Sequence, residues 1–312
     1  MRVLLFYKYA SIANTQKFCE DLRLFCKSHN LLGRVLIASE GINGTCAGKP
    51  DDTEAFKKYM RSQSGFEDLW FKEQSIDHQP FPRLAIRVRP ELVTLRQKKL
   101  DPHKGGKHLE PKEVNELVAQ KPNDVVFFDA RNEIESRIGK FQNAITPNIR
   151  TFRDLPNILP KILSQNKKLK DKHVIMYCTG GIRCEKASAL LKKEGFKHVY
   201  QINGGIYNYC QQYPNGLFEG TCFVFDDRMQ IGWGNDNAVK LEEEMPKEKI
   251  ISRCEYCDTK TARVINDERF LERTLRVCCV ACDKAHDISR MRTKPEHDAM
   301  IAAAKKSAQS IN

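Results

Sequence analysis

The hydrophobic and polar positions from Arg2 to Tyr9 predict a strand, those from Asn14 to Ser28 a helix capped by Asn14 or Thr15, and those from Gly33 to Ser39 a second strand. Glu40-Gly41-Ile42-Asn43-Gly44-Thr45 then marks a tight turn into another short strand. A helix from about Asp52 to Arg61 and strands near Leu69 to Ile76 and Leu84 to Val88 complete the region. This alternation predicts a ferredoxin-like α+β sandwich over residues 1–92.

From Val93 the pattern turns polar and basic, broken by Pro102, Gly105 and Gly106, and residues 93–110 read as a linker. Pro111 opens a short helix through Ala119, as proline does at a first helical position. The apolar run from Asp124 to Ala130 lacks alternation, as a central parallel strand does. Helix Asp154 to Ser164, strand His173 to Tyr177, helix Glu185 to Glu194, strand Val199 to Ile202 and helix Ile206 to Gln212 follow. Such alternation predicts a parallel α/β sheet covered on both faces, spanning residues 111–216. Residues 217–312 form an extension: a strand or hairpin arm at Thr221 to Met229, an acidic loop through Glu248, a cysteine-rich tail and a fraying helix from about Lys294.

A chain of 312 residues can bury several cores, so its twelve cysteines are not needed as a disulfide framework. The opening residues lack a secretory signal, and no apolar run approaches the ~20 residues that span a bilayer. A reducing cytoplasm is the expected setting, where cysteines serve catalysis, metal binding or packing. The net charge of +12 is uneven. Nine Lys/Arg lie between Arg83 and Lys112 and ten between Lys161 and Lys197, while residues 217–248 carry eight Asp/Glu. RNA is the polyanion that two such basic blocks would suit.

Tyr177-Cys178-Thr179-Gly180-Gly181-Ile182-Arg183 joins a strand to a helix. A thiol there faces backbone N–H groups and the positive end of a helix dipole, which stabilise its thiolate. Thr179, Gly180, Gly181 and Ile182 form an anion cradle, and Arg183 closes it with a fixed positive charge. Cysteine phosphatases use a longer span to surround a tetrahedral phosphate. With four residues between Cys178 and Arg183, the bowl suits a persulfide sulfur instead. Cys184 reads as a packing residue, with a resolving thiol as the alternative.

Cys254-Glu255-Tyr256-Cys257 and Cys279-Val280-Ala281-Cys282 are C-x-x-C pairs separated by 21 residues, a spacing that lets Cys254, Cys257, Cys279 and Cys282 share a structural zinc ion. Cys278 is an alternative ligand. The lone cysteines at 19, 26, 46, 210 and 222 read as packing. His103, His108 and Glu110 offer iron-type ligand chemistry, but on a segment read as a solvated linker.

Asp129-Ala130-Arg131, the Cys178 to Arg183 loop and Asn203-Gly204-Gly205-Ile206 resemble the rhodanese domain in order and spacing. Glu40 to Thr45, Val93-Thr94-Leu95, Asp101-Pro102 and Leu109 to Glu113 resemble the bacterial tRNA wobble-uridine hydroxylase family. The resemblance covers nearly the whole chain. It implies oxygen-dependent conversion of the wobble uridine to 5-hydroxyuridine, with Cys178 as catalytic, persulfide-capable cysteine, Asp129 and Arg131 as support, dioxygen as co-substrate and the tRNA anticodon arm as partner. Tyr7, Tyr9, Trp70 and Phe71 are candidates to stack on splayed bases. No flavin, nicotinamide or haem motif identifies a redox cofactor, and no sulfur or electron donor protein can be named. The competing readings are a persulfide sulfurtransferase without RNA and a non-catalytic RNA- or protein-binding adaptor.

Overall fold

The N-terminal sheet is built from β1 (Arg2–Tyr9), β2 (Leu32–Ala38), β3 (Gly41–Gly48), β4 (Phe71–Ser75) and β5 (Leu84–Val88), in the order β4-β1-β3-β2-β5. β5 adds to the ferredoxin-like sandwich as a parallel edge beside β2. Helices α1 (Thr15–Ser28), capped by the Asn14 side chain, and α2 (Pro50–Arg61) close one face. Leu22, Cys26, Phe56 and Met60 from these helices bury Leu4, Phe6, Val35 and Ile37, each large apolar side chain contributing about 1.5–3 kcal/mol. The other face carries Leu5, Tyr7, Leu36 and Asn43 and turns toward the central domain.

This computed structural model describes residues 1–97, 100–233, 239–240, 246–272, 274–291 and 293–309. Lys98 and Lys99 of the first basic block, and residues 236 and 242–244 of the acidic stretch, lie outside the described residues.

The central domain comprises β6 (Lys107–Leu109), α3 (Pro111–Gln120), β7 (Val125–Asp129), α4 (Glu133–Ile138), β8 (Gly139–Phe141), α5 (Leu155–Gln165), β9 (His173–Tyr177), α6 (Ile182–Lys193), β10 (His198–Ile202) and α7 (Gly205–Gln212). Its sheet runs β6-β10-β9-β7, every pairing parallel. All five residues of β9 are buried, as its unbroken apolar run requires. Leu155, Leu159, Ala187 and Leu191 cover one face, and Val114, Ile206 and Tyr209 the other.

Three expectations change. Lys107–Leu109, read as linker, is an edge strand paired with β10, and it buries only Leu109. A three-residue strand with a single buried position leaves no periodic pattern. The helix after the cysteine loop begins at Ile182 rather than Glu185, which brings Arg183 and Cys184 into its first turn. The arm expected at Thr221 to Met229 contains β12 (Cys222–Phe223), preceded by β11 (Phe218–Gly220), which pairs with β8, and the acidic segment after it is not wholly loop: β13 (Gln230–Trp233) and β14 (Val239–Lys240) continue an antiparallel set with β12. Beyond these lie the hairpin β15 (Val264–Asn266) and β16 (Leu275–Val277), then α8 (Val280–His286) and α9 (Lys294–Gln309).

Candidate active site at Cys178

Cys178 sits one residue beyond the carboxyl end of β9, where open α/β sheets place their sites. The chain reverses through Gly181, whose φ of 109° favours glycine, and α6 starts at the next residue. The Gly181 N–H donates to the Cys178 Sγ at 3.1 Å. The carbonyls of Cys178 and Thr179 are taken by the N–H groups of Ile206 and Tyr207, at 3.0 and 3.1 Å, in the first turn of α7. The second glycine turn thus fixes the backbone of the first. Ile182 packs with Tyr9, Ala38 and Leu92, and the Thr179 hydroxyl lies 3.5 Å from Glu135 Oε1 and from the Phe223 carbonyl.

The Cys178 thiol is held down to about 5. Burial is the largest influence and pushes it up; the hydrogen bond from Cys184, the Arg183 charge and the N–H groups of Arg183 and Gly181 outweigh it. Cys184 is fully buried, and its own thiol is pushed well up by burial and by the neighbouring Cys178.

Arg183 is not an open charge at the rim. It is 8 % exposed, and its guanidinium donates to both Glu135 carboxylate oxygens, at 2.6 and 2.7 Å. Glu135 is buried. Burial favours its neutral form, but the Arg183 and Arg131 charges keep its carboxyl below the ordinary value. Its position three residues after Asn132, where it accepts the Asn132 N–H at 3.2 Å, gives it the sequence signature of a helix cap. Only the folded chain shows that it also holds the arginine. Asp129 and Arg131 form a second buried pair, with Nε and Nη2 donating at 2.9 and 2.6 Å, and Arg131 Nη2 also reaches the Gly139 carbonyl at 2.6 Å.

Cys178 is 1 % exposed, yet it lines a cavity of about 280 Å³ whose other walls include Leu5, Arg34, Leu36, Asn43 and Phe225. The sulfur is enclosed but not sealed in a core. The two domains meet on the loop itself. A Cβ on Gly180 would lie 3.1 Å from Leu5, and one on Gly181 2.7 Å from the Tyr7 hydroxyl. Lys186 of α6 fastens the contact by donating to Glu40 at 2.8 Å and Glu91 at 2.9 Å, which gives the Glu40 of the first turn motif a structural task.

A larger cavity, about 430 Å³, lies on the β4 side of Tyr7 and is lined by Trp70, Lys72, His108 and Glu185 among others. Glu185 accepts from Tyr7 at 3.0 Å and from Gln201 at 2.8 Å, and His108 Nε2 lies 3.0 Å from it. His108 and Glu110 serve separate partners, since Glu110 accepts from Asn203. Of the aromatic candidates, Phe71 belongs to the N-terminal core, whereas Trp70 is 44 % exposed and Tyr7 and Tyr9 line the cavity.

In the extension, the ligand atoms of Cys254, Cys257, Cys279 and Cys282 lie within 4.8 Å of one another. Sulfurs on a tetrahedral metal at about 2.3 Å would stand roughly 3.8 Å apart, and Cys257 and Cys279 are at 3.6 Å. The set can hold a metal ion. Cys278 is buried beside it with its thiol pushed up to about 12 by burial, and it is not among the four. Among the described residues, no helix is long and apolar enough to cross a membrane.

A thiolate cradled in a glycine turn at the end of a central parallel strand is the arrangement of a rhodanese-type domain, and residues 110–212 match the rhodanese-like domain model. Residues 1–92 match the UPF0176 acylphosphatase like domain and residues 219–293 the rhodanase C-terminal model. Over 97 % of its length the chain is 39 % identical to a Corynebacterium glutamicum protein named tRNA uridine(34) hydroxylase, covering 95 % of that protein. A Bacillus licheniformis protein of the same name is 40 % identical over 90 % of this chain and 88 % of its own. The chain belongs to the family of these tRNA uridine(34) hydroxylases.

Proposed function

We propose that this protein hydroxylates the wobble uridine of tRNA to 5-hydroxyuridine, with Cys178 as the reactive thiolate. The observation that carries the reading is a sulfur that accepts the Gly181 N–H at 3.1 Å and opens on a chamber that the N-terminal sheet helps to build. The chamber matches a pyrimidine in character. Leu5, Leu36 and Phe225 offer apolar walls for a flat ring, the Asn43 amide can pair with a base edge, and the Arg34 guanidinium is available for a phosphate. Cys178 acts as nucleophile or persulfide carrier. The loop amides steady its charge, and Glu135 fixes Arg183 so that the arginine cannot swing away. One atom of dioxygen enters the base and the other leaves as water, with two electrons and two protons from a reductant outside this chain. The anticodon arm lies across the basic surfaces, in the cytoplasm, and a zinc ion on Cys254, Cys257, Cys279 and Cys282 holds the extension together.

The test is nucleoside mass analysis of tRNA from cells lacking the protein, complemented with wild type or Cys178→Ala. Loss of 5-hydroxyuridine-derived nucleosides that wild type alone restores is the expected result. Unchanged tRNA together with strong thiosulfate sulfurtransferase activity would replace this reading with the RNA-independent one. Relatives matching along nearly the whole chain, rather than along the central domain alone, weigh against both the plain sulfurtransferase and the adaptor.

A further inference from the structure

Lys72 is an anomaly that the chemistry at Cys178 does not use. It is 5 % exposed, and among the described residues no oxygen lies within hydrogen-bond or ion-pair distance of its ammonium. Its Nζ instead rests over the rings of Trp70, at 4.3 Å, and Tyr7, at 5.3 Å. Burial pushes it down to about 8, with the Cys178 and Glu185 charges pulling the other way. Its stem is buried while the ammonium, with ring faces as its protein partners, is left to the cavity that it lines. Lys186 shows the contrast: equally buried, it is met by Glu40 and Glu91. Lys72 faces the 430 Å³ cavity, whose walls also hold the half-exposed Trp70 ring and the Tyr7–Glu185–His108 chain. That cavity shares Tyr7 with the chamber of Cys178.

We propose that this second cavity is a binding site for the nucleobase next to the target uridine, held by a hydrogen bond from Lys72 to a ring carbonyl or ring nitrogen and packed beside the half-exposed Trp70 indole. The proposal rests on the reading of Cys178 as a uridine-modifying centre. Two adjoining pockets divided by one tyrosine suit two successive bases splayed from a single strand. A base supplies an uncharged acceptor for the ammonium and an apolar edge or face for the exposed part of the indole. A phosphate would also suit a cavity lined by Lys8, Lys72 and His108, and an abasic RNA, which keeps its phosphates, separates the two occupants.

The experiment is a binding cycle with the full-length protein and anticodon stem-loop RNAs that carry uridine at the target position, either intact or abasic at one flanking position. Removing the base on one side should weaken wild-type binding about tenfold or more. Lys72→Met should show the same weakening with intact RNA and no further loss with that abasic RNA. Thermal unfolding of Lys72→Met close to the wild-type temperature is expected, because the change breaks no hydrogen bond or ion pair within the protein. A lower unfolding temperature with flanking-base dependence intact would make Lys72 a brace between domains and overturn the proposal, as would additive losses at both flanking positions. Trp70→Ala, at a half-exposed position, repeats the cycle without altering a buried charge. If wild type neither binds nor hydroxylates the uridine-bearing RNA, the reading of Cys178 itself fails, whereas intact hydroxylation with an additive cycle removes only the second pocket.

Discussion

Two cysteine sites stand at opposite ends of this chain's chemistry. At Cys178 one sulfur is enclosed, and its charge is balanced by N–H groups, a thiol and a guanidinium that the backbone already holds in place. At the tail, four sulfurs crowd together near the surface, with Cys257 exposed and Cys279 and Cys282 half-buried. Four thiolates so close repel one another unless a cation sits among them. The first environment makes a single sulfur reactive by itself; the second makes sense as a clamp whose sulfurs are consumed by holding the chain. What decides the role of a cysteine here is what its charge meets.

The sharpest way to break this comparison is to exchange the losses. Cys178→Ala should abolish formation of the hydroxylated nucleoside while leaving thermal unfolding unchanged, and an unfolded variant would show the sulfur to be structural. Cys254→Ser or a strong chelator should do the reverse, exposing the extension to proteolysis while Cys178 still reacts with iodoacetamide at neutral pH. Glu135→Gln is a smaller perturbation. It leaves Arg183 buried beside an uncharged amide and should cost about 3–5 kcal/mol in urea unfolding, the range for one partner of a buried pair. Smallest is the effect of Cys184→Ala on the pH profile of Cys178 alkylation. The wild-type thiolate should persist from neutral pH down to about 5 and be lost as pH falls through that value. Removing the Cys184 donor should move the midpoint upward, and Cys184→Ser, which keeps a donor, should restore much of the shift. A midpoint that ignores both substitutions would leave the amides and Arg183 as the whole explanation.

The reactive turn was legible in sequence because its requirements are local: an unbroken apolar strand, a cysteine, two glycines and an arginine, in order. The C-x-x-C pairs were legible for the same reason. Glu135 was not, since its partner is 48 positions away and its own neighbourhood reads as a helix cap. Lys72 was hidden more thoroughly. In Phe71-Lys72-Glu73 it looks like an ordinary solvated strand lysine, and its burial against the Tyr7 and Trp70 rings shows only in the folded chain. Lys107–Leu109 escaped notice because an edge strand of three residues needs no pattern of its own when β10 supplies the register. Periodicity reports what a segment does with its own neighbours, and these residues act on partners distant in sequence.

The close seating of Leu5 and Tyr7 on Gly180 and Gly181 has a mechanical corollary. An alanine at 181 would press on the Tyr7 hydroxyl and at the same time strain the turn, loosening the seat of the front module and the N–H that meets the sulfur. Sequence drift at those two glycines is therefore barred by the neighbouring domain as much as by the turn they make.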